Sequence, residues 1–177
     1  MRSLLIIFAL LLLTAFAVLA QDKQSKRAAK KEAEAKKYAL TKEILESGEY
    51  YFVADWATTQ KGRRINLISN PNQFKISDQK AEASMPYFGA VQMYDMSGQG
   101  GINIEGPVEN YEVKYNEKKN RITVTFKARS STGNETYACT FNMGATGGTS
   151  LSITSGARNR ISYSGQIKAL SDTNPKE

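Results

Sequence analysis

With no histidine among its 177 residues, the chain has carboxylates, lysines, tyrosines and a single thiol with which to do chemistry. Serine–histidine and cysteine–histidine nucleophiles, the usual zinc sites and haem ligation are thereby removed together. Two carboxylates flanking a glycosidic bond, roughly 5 to 9 Å apart, would still suffice for hydrolysis. The acids available for that in the body of the chain are Asp55, Glu82, Asp95, Glu105 and Glu109. Nothing in their spacing forces two of them together, so surface charge explains them better. A carboxylate-based glycan hydrolase is the third reading, behind two that need no catalysis.

Binding chemistry has one candidate location. Gly98-Gln99-Gly100-Gly101 lies in the longest irregular stretch, but no Lys-Ser or Lys-Thr pair and no helix follows, so it is not a phosphate cradle. Phe88, Val91, Met93, Tyr94 and Met96 are more apolar than a solvated loop requires, and methionine suits adaptable surfaces. They are expected to form a binding lip at one mouth of the domain. Cys139, between Tyr137 and Phe141 on one strand face, reads as a buried inert thiol. No catalytic residue, cofactor or metal is expected. Asn134-Glu135-Thr136 fits the glycosylation pattern, but so short a match arises often by chance.

Arg2, the apolar run Leu4 to Leu19 and the small residues before Gln21 form a cleavable secretory signal over residues 1–20. The run's sixteen residues, apolar apart from Thr14, fall short of the roughly 20 that span a bilayer, so no stable membrane anchor is expected after cleavage. A lone cysteine also rules out an internal disulfide, although an exported chain meets an oxidising compartment. Without Arg2 the chain carries 23 basic and 17 acidic residues, and Asp22 to Lys37 alone holds seven of those basic residues against three acidic ones. A nucleic-acid surface would spread its cations over a folded face, so no nucleic-acid partner is expected. The basic segment reads as a solvated spacer because its charged half lacks an apolar face.

The elements that must position these residues follow from periodicity. Residues 21–48 are rich in Ala, Lys and Glu, with Gly48 as a stop, and predict one N-terminal α-helix. Tyr38, Thr41, Ile44 and Leu45 give only its last three turns a face to dock, and the first half is expected to be solvated, frayed or disordered. From Tyr50 the period becomes two. Tyr50, Phe52, Ala54 and Trp56 share a face in the first strand, and the alternation repeats through Ile161, Tyr163, Gly165 and Ile167. The opposite positions are mostly Ser, Thr and Lys, the pattern of an antiparallel sheet wetted on one side. Short turn-rich connectors make successive strands neighbours. The fold class is therefore mainly β: an antiparallel meander forming an up-and-down, lipocalin-like or partly open barrel over residues 49–170, with a two-layer β-sandwich as the alternative. Residues 171–177 read as a disordered tail.

A basic Ala/Lys helix behind a secretory signal, then Arg63-Arg64-Ile65-Asn66-Leu67, Met85-Pro86-Tyr87-Phe88-Gly89, Gly101-Ile102-Asn103-Ile104-Glu105-Gly106-Pro107 and Ile161-Ser162-Tyr163-Ser164-Gly165, resembles the family labelled domain of unknown function 4251, small exported proteins of Bacteroides-type bacteria. The resemblance covers nearly the whole chain after the signal. It implies a Gram-negative periplasmic or cell-envelope setting and supplies no activity, ligand or catalytic residue. Pro86 and Pro107 cannot donate to a ladder and should mark strand ends or bends. The chain is thus expected to be a non-enzymatic exported binding or interaction domain, holding a small apolar ligand or an envelope protein. An envelope structural or assembly protein is the alternative.

Overall fold

The computed structural model describes the backbone of residues 2–90 and 101–172, with side chains for 24–90 and 101–171. Helix α1 (Arg2–Glu46) comes first. Gly48 stops it in the left-handed conformation (φ 71°), its N–H bonded to the Leu45 carbonyl at 3.1 Å. Thr41 and Leu45 are buried and Tyr38 and Ile44 pack beside them, so the anticipated face docks on the barrel. The polar half from residue 24 is almost wholly exposed and regularly helical, not frayed. Lys30 with Glu34 and Glu32 with Lys36 form i,i+4 pairs along it. Among the described residues, no helix is long and apolar enough to cross a membrane.

Ten strands follow among the described residues: β1 (Tyr50–Thr59), β2 (Arg64–Asn66), β3 (Gln73–Ser77), β4 (Lys80–Pro86), β5 (Gly101–Pro107), β6 (Glu109–Asn116), β7 (Arg121–Arg129), β8 (Thr136–Met143), β9 (Thr149–Thr154) and β10 (Ile161–Ala169). Their sheet runs β5-β4-β3-β1-β10-β9-β8-β7-β6, with β2 attached to β1. Apart from β2, the order around the ring is the order along the chain, and every pairing is antiparallel. This is the expected up-and-down meander, a nearly closed barrel of nine strands and not a sandwich. The β3–β4 hairpin turns through Asp78 and Gln79, both at positive φ, as a two-residue loop with matching twist requires.

The two edge strands are consecutive in the chain and separated by Val108 alone. Ile104 bridges Ser130 just past the end of β7, and the Ser131 N–H donates to the Asn103 carbonyl at 3.0 Å. From Glu109 the chain then pairs with β7 itself. One strand therefore leaves β4, bends at Gly106-Pro107-Val108 and joins β7, which nearly closes the ring. Pro86 and Pro107 end β4 and β5, as their missing N–H groups require.

Inside the ring, Phe52, Phe74, Phe126 and Phe141 meet ring to ring, with centroids 5.5 to 6.1 Å apart, and Tyr50 joins Phe141 edge-on. Edge-to-face contacts of this kind add to plain area burial. The alternation breaks in β1. Tyr50, Phe52 and Ala54 point inward as expected, but the next inward residue is Ala57, not Trp56. The register with β10 slips between Ala54 and Trp56, so Asp55 is the extra residue of a bulge and Trp56 turns to the outer face.

Candidate functional site

The hairpin parity of a meander gathers the turns at two ends. At the end that α1 caps lie the turns after β6, β8 and β10; at the other lie Tyr87 to Ala90 and the turns after β7 and β9. The second end is where the sequence places a binding lip. Phe88 is there and 36% exposed, at the margin between solvent and contact. Val91, Met93, Tyr94 and Met96 lie outside the described residues.

Polar side chains tie that end together. The Tyr87 hydroxyl is 2.9 Å from the carbonyl oxygens of Ala90 and Asn159, and the Tyr163 hydroxyl donates to the Pro86 carbonyl at 2.8 Å. Beneath them Arg158 Nε donates to Glu135 Oε2 at 3.0 Å, with side chains only 6% and 14% exposed. Tyr137 donates to the same oxygen at 2.8 Å, Ser155 donates to Oε1, and the guanidinium lies 5.3 Å from the Tyr87 ring centroid. Three donors hold this carboxylate, which ties the turn after β7 to the turn after β9. Sequence reasoning missed the pair. Its signal was that residues 130–135 and 155–160 are the turns after alternate strands of a meander and so share one end.

The carboxylates weighed for hydrolysis do not converge. Glu82 and Glu105 sit opposite each other on β4 and β5, but both are exposed on the convex outer face and Lys75 reaches Glu82 at 3.6 Å. A flanking pair needs a cleft between its members. Asp55 is exposed on its bulge, Glu109 pairs with Arg129 at 3.5 Å, and Asp95 lies outside the described residues. Among the described residues, no three metal-ligating side chains come together. Cys139 is buried, and burial pushes its thiol up to about 12, which leaves it protonated and inert.

A concave surface lies at the capped end. An open groove of about 1180 Å³ runs between the docked turns of α1 and the outer face of the sheet. The register places Thr123, Asn142, Ser150, Ser164 and Trp56 in one row across β7, β8, β9, β10 and β1. All five line the groove, together with Gln166 and Asp55. Its lip is basic: Lys37, Lys114, Lys119 and Arg121 border it. Lys37 also donates to the Thr146 carbonyl at 3.2 Å, which ties the helix to the β8–β9 turn. Trp56 is half-buried under the Arg64 guanidinium, 4.2 Å from its ring. The bulge is what brings this indole to the groove. Its sequence signal was Gly165 inside a strand pattern, because a side chain there would run into the Val53 carbonyl and the Ala54 backbone.

Residues 32–167 match the family described as Domain of unknown function (DUF4251). Among solved structures, the chain is similar to a DUF4251 family protein from Bacteroides eggerthii, at 15% identity and a TM-score of 0.63. That likeness covers 81% of this chain and 95% of the other and concerns the fold. No curated protein matches the chain.

Proposed function

The chain belongs to the DUF4251 family, and on that footing we propose that it is an exported, non-enzymatic binding domain whose ligand lies in the groove between α1 and the outer face of β7 to β10. The groove itself carries the reading: it is a concave surface framed by two elements and floored by a register-aligned row of hydroxyl and amide side chains. Hydroxyls and amides with an aromatic wall fix a polar ligand by directed hydrogen bonds and ring contact. The basic lip favours one that carries negative charge.

The interior is less suited to a ligand. The inward positions of the described strands are filled by aromatic and aliphatic side chains, and Phe52, Phe74 and Phe141 are wholly buried among them. A small apolar guest there would have to displace packed rings. Support for export comes from the leader-like residues 1–20.

Trp56 is the only tryptophan in the chain and stands in the groove, so its emission reports occupancy directly. Titration of the mature chain with fractions of the host's envelope should shift that emission saturably. Ser150→Tyr, which fills the floor of the groove from an outward position, should abolish the shift while the far-UV spectrum stays unchanged. A saturable response indifferent to Ser150→Tyr, or none from any fraction, would remove the groove from the function.

A further inference from the structure

Strand β6 has one ladder. Its residues pair with β7, and among the described residues its other edge has no backbone partner from Tyr111 to Asn116. The bend at Gly106-Pro107-Val108 ends β5 before it could run beside this stretch, so no described strand covers it; at its far end the Lys42 ammonium of α1 lies 5.1 Å from the Tyr115 ring. An unpaired row of N–H and C=O groups is a template for another strand. Side chains decide which strand fits.

We propose that this edge pairs antiparallel with the same edge of a second copy of the chain, about a twofold axis at Val113. Self-pairing requires a sequence that complements itself when reversed. About Val113, Glu112 falls opposite the copy's Lys114 and Lys114 opposite its Glu112, so two opposite-charge pairs form on the outer face. On the inner face Tyr111 falls opposite the copy's Tyr115, which gives two aromatic pairs. Opposite charges and aromatic pairs directly across an antiparallel ladder are the favourable combinations, and like charges there repel. Both tyrosines keep 40% of their surface exposed although Tyr111 stacks on Phe126 and Tyr115 lies under the Lys42 ammonium, so each ring has a free flank for the copy.

Within one chain Glu112 and Lys114 already touch at 3.1 Å, but both side chains are more than half exposed. A pair so wetted contributes little and exchanges readily for one across the interface. Asn110, at positive φ in the β6 bulge, ends the compatible stretch on one side, and the turn at Glu117 ends it on the other. Five residues, Tyr111 to Tyr115, make a short interface, so the association should be weak and concentration-dependent.

Sedimentation of the mature chain over a concentration series should show a monomer–dimer equilibrium. Lys114→Glu places Glu112 against a glutamate, and Glu112→Lys places Lys114 against a lysine, so each variant alone should associate roughly tenfold or more weakly. Mixed one to one, the two variants restore both opposite-charge pairs and should recover dimer as a heterodimer. Because both changes are on exposed side chains, unchanged circular dichroism would establish that each variant folds. Wild-type chain that stays monomeric into the millimolar range would overturn the proposal. So would a mixture that associates no better than its components, or a dimer whose strength ignores both substitutions. Because Lys114 also borders the groove, ligand titration at Trp56 is compared on Glu112→Lys, whose site lies outside the groove lining, so that failure of the dimer and failure of the groove are distinguished.

Discussion

Arg158 Nε and Glu135 Oε2 meet at 3.0 Å beneath the Tyr87 ring, both side chains nearly out of reach of water, on turns separated by two strands. Such a pair contributes less to stability than its removal suggests, because desolvation offsets most of the attraction. Losing one member leaves the other buried and uncompensated. Arg158→Ala should therefore destabilise the fold by about 3 to 5 kcal/mol in urea denaturation. The double change Glu135→Leu with Arg158→Met should recover much of that, and a double variant as unstable as the single would refute a buried-charge origin.

Gly165 faces the β1 bulge, where a methyl group would meet the Val53 carbonyl and the Ala54 backbone. Gly165→Ala should cost about 1 to 3 kcal/mol, the usual range for overpacking a well-filled position. The obstruction is backbone and cannot swing aside, so β1 itself must shift. Trp56 emission in the folded state should move together with the denaturation midpoint. Should the midpoint hold and the emission stay put, the close approach is not what sets the bulge.

Much of the barrel was legible because one rule, apolar inward and polar outward at every second residue, governs nine strands with short connectors. The rule failed at Trp56, where an inserted Asp55 reversed the phase; a bulge leaves the composition of a strand unchanged and betrays itself only through the glycine opposite. It failed more gently at Tyr111 and Tyr115, which alternate correctly yet stay 40% exposed because, among the described residues, no strand pairs beyond β6. Ser152, expected on the wetted face, is buried because the Arg160 guanidinium lies over it, bonded at 2.8 Å. The groove could not be read in advance, since it depends on where α1 docks, and contacts such as Lys37 with Thr146 join residues 109 apart.

Cys139 couples the core to alkaline pH. Burial raises its thiol from the ordinary value of 9.0 to about 12, so the folded chain keeps a proton that the unfolded chain releases above pH 9. Between pH 9 and 12 the unfolded state then binds fewer protons than the folded one, and stability falls as pH rises. Tyr50 and Tyr163, raised chiefly by burial as well, extend the same trend upward. Urea midpoints should decline across this window, and Cys139→Ala or Cys139→Val should flatten the part nearest pH 9. A decline identical in wild type and variant would assign it to the tyrosines alone. At pH 8 a thiol reagent should modify Cys139 only as fast as the fold opens.

Tyr50 and Tyr111 share a hydroxyl contact at 3.1 Å with unequal surroundings, Tyr50 wholly buried and Tyr111 at the open edge. The two phenylalanine substitutions should therefore differ. Tyr111→Phe strands the Tyr50 hydroxyl away from water, which costs about 1 to 3 kcal/mol. Tyr50→Phe removes the buried polar group itself, and Tyr111 can turn its hydroxyl to solvent, so the loss should be well under that. In the double variant neither hydroxyl remains to be stranded, and its stability should lie nearer to Tyr50→Phe than to Tyr111→Phe. Equal losses from the two single variants would mean that water already reaches Tyr50, and that the seam beside β6 is wetter than its packing against Phe126 implies.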